Sequence, residues 1–64
     1  MESILAGYWN VYIKDSPEGD WYFHGKLLDW HVAGVTLRAL LKEGTVAKVV
    51  NHYGRNVTED AKIA

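Results

Sequence analysis

The sequence contains no cysteine. This excludes disulfides, thiolate metal ligands and cysteine nucleophiles, and it fits a reducing compartment better than an oxidising one. Charge of one sign is also missing: seven Lys and Arg stand against eight Asp and Glu, a formal net charge of −1. Generic duplex DNA binding through phosphate neutralisation is therefore disfavoured, and the imbalance is too small for a polyanion mimic. No apolar run approaches the roughly 20 residues that span a bilayer. Met1–Gly7 has neither the basic start nor the long apolar core of a signal peptide. The expectation is a cytoplasmic protein with no membrane partner. Internal repeats, low-complexity tracts and linkers are absent as well.

What remains is a short, ring-rich chain. Its 64 residues suffice for one small domain, with a core expected within about residues 7–57. A chain of this length buries only about 60% of the surface its unfolded form exposes. Three Trp, four Tyr and one Phe are the available substitute for disulfides. Large rings each bury much area, so aromatic packing or self-association is the expected support.

Asp29–Gly44 reads as the one substantial helix. Trp30, Ala33, Leu37, Leu40 and Leu41 fall in one sector of the helical wheel, as for a face packed on a sheet. Asp29 supplies an N-cap oxygen, Lys42 a cation in the last turn, and Gly44 a residue able to end the helix in the left-handed conformation. Tyr8–Lys14 and Asp20–Leu28 read as strands joined by a turn over Asp15–Gly19, in which Pro17 presets φ. Facing side chains must share a face, and pairing Lys14 with Asp20 meets that condition. This register places Tyr12 opposite Tyr22, Val11 opposite Phe23 and Trp9 over Gly25, with Lys14 and Asp20 as a salt pair. It predicts a core face of Trp9, Val11, Ile13, Trp21, Phe23 and Leu27. Val46–His52 reads as a third strand with Ala47 and Val49 inward, its pairing partner open. Met1–Ala6 could extend the first strand or fray. Val57 could begin a short returning strand, and Thr58–Ala64, polar and aperiodic, is expected to fray. The fold class is α+β: a small ββαβ domain, a three-stranded antiparallel sheet with one helix packed on one face.

Motifs that would specify chemistry are missing. His24, His31 and His52 match no metal-ligand spacing, so no metal site and no cofactor is expected. Ser3 and Ser16 sit in no nucleophile turn. Asp15, Glu18 and Asp20 crowd one loop without the alternate-position ligands of a calcium site, and a solvated hairpin tip is the simpler reading. The six glycines are scattered, and no run of them could cradle a phosphate. Asn56-Val57-Thr58 matches a glycosylation acceptor by coincidence.

Two surfaces are left as candidate sites. Val32, Val35 and Ala39, bordered by Arg38, form an apolar stripe on the helix side away from the core, suited to a protein partner or a second copy. Tyr8, Tyr12, Tyr22, His24, Lys26 and Lys48 would share the uncovered sheet face, where tyrosines among basic groups could stack the bases of a single-stranded nucleic acid. The expected function is non-enzymatic: a protein-interaction module, such as an inhibitor or modulator of a larger enzyme. Compact phage-encoded inhibitors of host enzymes share this size and element order. Single-strand nucleic-acid binding is the alternative.

Overall fold

The computed structural model describes residues 7–64. The expectation for Met1–Ala6 lies outside them. Helix α1 (Trp30–Lys42) starts where the capping chemistry places it: the Asp29 side chain accepts a bond from the Val32 N–H at 3.1 Å. It ends after Glu43, with Gly44 at φ +84° and its N–H donating to the Leu41 carbonyl at 3.0 Å. Glycine is needed there because a side chain at that φ is strained.

Strands β1 (Trp9–Lys14), β2 (Tyr22–Leu27) and β3 (Val46–Asn51) form one antiparallel sheet in the order β2-β1-β3. The third strand therefore pairs with the first. Inward residues Ala47 and Val49 of β3 lie opposite Ile13 and Val11 of β1, the parity the sequence favoured. Beneath α1 the core gathers Trp9, Val11, Ala33, Leu37, Ala47, Val49 and Ala61, with Ile13, Leu27, Trp30 and Leu40 packed against it. Trp9 and Trp30 meet at 5.5 Å between ring centroids. The small α+β architecture follows as expected from patterning.

The hairpin register differs from the expected one. Trp9 pairs with Leu27, Asn10 with Lys26 and Val11 with Gly25, but Tyr12 pairs with Phe23 and Ile13 with Tyr22. His24 is the extra residue of a β-bulge, so the side-chain alternation of β2 inverts there. The Lys14–Asp20 salt pair is replaced by a bond from Lys14 Nζ to the Pro17 carbonyl at 3.3 Å. Trp21 and Phe23, expected in the core, sit outside it, and Phe23 is 59% exposed. Leu41 is also exposed. For the two rings the reason is the extra residue itself. On the Tyr22 side of His24 the alternation runs one residue out of phase with the expected one, so Trp21 and Phe23 turn to the open side and Tyr22 to the helix side, where it is 55% exposed.

The expected frayed end is ordered. Val57 begins no returning strand beyond an isolated bridge of Val50 with Asn56, and Thr58–Ala61 forms a helical turn, α2. Asn56 Oδ1 accepts from the Thr58 N–H at 3.0 Å and hydroxyl at 2.6 Å, while Thr58 Oγ1 accepts from the Val49 N–H at 3.0 Å. The Asn-x-Thr pattern is thus a turn that ties α2 to β3. Ala61 is fully buried. A Cβ built on Gly34 would meet the Ala61 carbonyl oxygen at 2.7 Å, so glycine is what permits this close approach.

Candidate ligand-binding face

Both helices cover the same side of the sheet, since Ala61 of α2 belongs to the core under α1. Among the described residues nothing packs on the other side. Cross-strand partners share a face, and the pairings place there Asn10, Tyr12 and Lys14 from β1, Phe23 and Lys26 from β2, and Val46, Lys48 and Val50 from β3. Tyr8 and Trp21 extend it at either end, as their lysine contacts show.

These side chains form a connected lattice. Tyr12 meets Phe23 edge-on at 5.8 Å between centroids. Lys48 Nζ lies 4.4 Å from the Trp21 ring centre and 5.6 Å from that of Tyr12, and Lys14 Nζ lies 4.5 Å from Trp21. At the other end Lys26 Nζ stands 4.9 Å from the Tyr8 ring, and Tyr8 is 5.5 Å from His52. Every lysine of the face thus sits over a ring, an arrangement that fixes flexible ammonium groups without neutralising them. No Asp or Glu occupies a strand position on this side. Among the described residues the one ion pair is Lys62 with Glu59. The acidic residues Asp15, Glu18 and Asp20 lie in the β1–β2 connection beyond the strand ends, so a chain of net charge −1 still presents a basic face.

The sequence-derived residues divide. Tyr8, Tyr12, Lys26 and Lys48 come together on the open face. Tyr22 does not: it pairs with Ile13 on the helix side and is 55% exposed. His24 is the bulge residue. Trp21 and Phe23 are the members that patterning missed, because one extra residue in a strand leaves no mark on its alternation. Lys14 was legible from its parity with Tyr12. On the helix, Val32 and Val35 are exposed at 45% and 47%, and Ala39 is exposed beside them. Arg38 turns elsewhere, donating to the main-chain oxygens of Lys62 at 3.2 Å and Ala64 at 2.9 Å.

Among the described residues no three His, Asp or Glu side chains gather as metal ligands. No helix there is long and apolar enough to cross a membrane. Comparison with protein-family models, curated proteins and solved structures finds no match to this chain.

Proposed function

We propose that this protein is a non-catalytic binding module whose open sheet face takes single-stranded nucleic acid. The observation that carries the reading is the lattice of Tyr8, Tyr12, Trp21 and Phe23 with Lys14, Lys26 and Lys48 on an acid-free sheet face. Bases need a ring to stack on and phosphates need a cation nearby. A sheet face bearing both supplies the two together, with each stacked base contributing about 1–3 kcal/mol. An unpaired strand can splay its bases across an open sheet and stack them on its rings.

Fluorescence titration with labelled oligothymidylate or oligouridylate tests this. Binding should quench Trp21 and weaken steeply with salt. Oligonucleotides that fail to bind at low salt, or that bind Trp21→Ala and Tyr12→Ala as tightly as the parent, overturn it.

Exposure of Val32 and Val35 favours a second reading, in which the helix stripe docks on a larger protein and the module acts as its modulator. Arg38, engaged with the C-terminal segment, does not rim that stripe as a free charge. Loss of a captured protein in Val35→Glu, with capture intact in Trp21→Ala, would move the assignment to the helix.

A further inference from the structure

The two edges of the sheet are treated differently. The outer edge of β3 is covered over its C-terminal half by its own chain: the Val57 N–H donates to the Val49 carbonyl at 2.9 Å, Thr58 Oγ1 takes the Val49 N–H, and the Asn51 N–H donates to the Arg55 carbonyl at 2.9 Å. The outer edge of β2 has no such cover. Among the described residues, Tyr22–Leu27 pairs with β1 alone and makes no other backbone bond. The same edge carries exposed large side chains, with Tyr22 and Phe23 more than half exposed and Leu28 at 74%, while the other strongly exposed ones, Tyr53 and Ile63, stand apart from the strands. An uncovered edge with large apolar side chains on both faces is a template for another strand.

The bulge identifies which strand fits. It leaves Tyr22 and Leu27 on the helix side, opposite Ile13 and Trp9, and Phe23 and Lys26 on the open side, opposite Tyr12 and Asn10. Suppose β2 pairs antiparallel with a second β2 about a twofold axis between His24 and Gly25. Tyr22 then faces Leu27 of the second copy, and Phe23 faces its Lys26. Both pairs match in face and in chemistry: ring against aliphatic on the helix side, ring against ammonium on the open side. In a strand without a bulge this register would set helix-side residues against open-side residues. Shifting it by one residue in either direction sets Tyr22 against Lys26 or Phe23 against Leu27, each from opposite faces.

We infer that the protein forms a twofold homodimer through its β2 edges, in the register Tyr22–Leu27 and Phe23–Lys26. The product is a continuous six-stranded sheet with both sets of helices on one side and both open faces on the other. The bulges meet at the axis, so the ladder consists of two short halves, and the side-chain pairs carry much of the specificity. Burial of Tyr22, Phe23 and Leu28 at the seam supplies the drive. The inference is independent of what the open face binds.

Sedimentation equilibrium of the full chain over a concentration series tests the inference, with circular dichroism confirming that each variant is folded. The parent should fit a monomer–dimer equilibrium. Phe23→Lys places two ammonium groups opposite each other at both symmetric pairs and should weaken dimerisation at least tenfold. Adding Lys26→Glu to that variant makes each pair complementary and should restore the dimer, a recovery specific to this register. Val35→Glu, on the far side of the helix, should leave the dimer unchanged. A folded parent that stays monomeric throughout overturns the inference. So does a folded Phe23→Lys/Lys26→Glu variant no more dimeric than Phe23→Lys. Oligonucleotide binding is read separately, so its failure and that of the dimer remain distinguishable.

Discussion

At the residue scale, position in the packing decides what a substitution does. Leu37 is fully buried at the centre of the core. Leu37→Asp strands a carboxylate without a partner and should cost more than about 4 kcal/mol, enough to abolish the thermal transition of so small a chain. Gly34→Ala is the more diagnostic change. It improves intrinsic helix propensity by about 1 kcal/mol, yet its Cβ would stand 2.7 Å from the Ala61 carbonyl oxygen and 2.8 Å from the Ala64 Cβ. Backbone cannot yield as a flexible side chain would, so the net effect should be a loss of roughly 1–3 kcal/mol. Hydrogen exchange should quicken in residues 58–64 before the sheet is affected. Equal protection in parent and variant would mean that the close approach carries no energy.

At the element scale, the β2 bulge controls the most. Nuclear Overhauser contacts should link the Tyr12 and Phe23 rings and the Ile13 and Tyr22 side chains, with none between Val11 and Phe23. Deleting His24 would let Tyr22, Phe23, Gly25, Lys26 and Leu27 pair one to one with β1, with Phe23 still opposite Tyr12 on the open face. A variant that unfolds cooperatively and keeps the Tyr12–Phe23 ring contact is the expected outcome, whereas a contact between Val11 and Phe23 would show that His24 is not the extra residue. The short α2 depends on Asn56. Asn56→Ala removes the acceptor for the Thr58 N–H and hydroxyl. The expected loss is about 1 kcal/mol in a denaturant titration, the usual effect of deleting a helix-entry side chain.

At the scale of the whole molecule, the sheet separates a helical side that supplies stability from an open side available for recognition. Three lysines on the open face and a coefficient of about 0.7 per neutralised phosphate give an expected slope of about −2 for log affinity against log salt with a short single strand. Lys26→Ala should flatten that slope by about 0.7, and Trp21→Ala should weaken binding at every salt concentration without changing it. If an oligonucleotide long enough to cross two joined faces gave no steeper slope than a short one, the faces would not act together on one strand.

The sequence by itself determined the local features. Asp29 and Gly44 bracket the helix, Pro17 sits in a turn closed by the Gly19 N–H on the Ser16 carbonyl at 3.0 Å, and Ala47 and Val49 face inward because Lys48 cannot. Each depends on residues close in the chain, where periodicity and capping act. The tertiary structure decided which strand β3 joins, how 58–64 docks on Gly34 and Arg38, and where the hairpin slips. The slip matters most for the candidate site, since it carries Trp21 and Phe23 to the open face. Alternation specifies faces only while strands pair one residue to one. The bulge breaks that rule, and its place is set by how β2 pairs with β1 across the assembled sheet, which no local pattern in the strand marks.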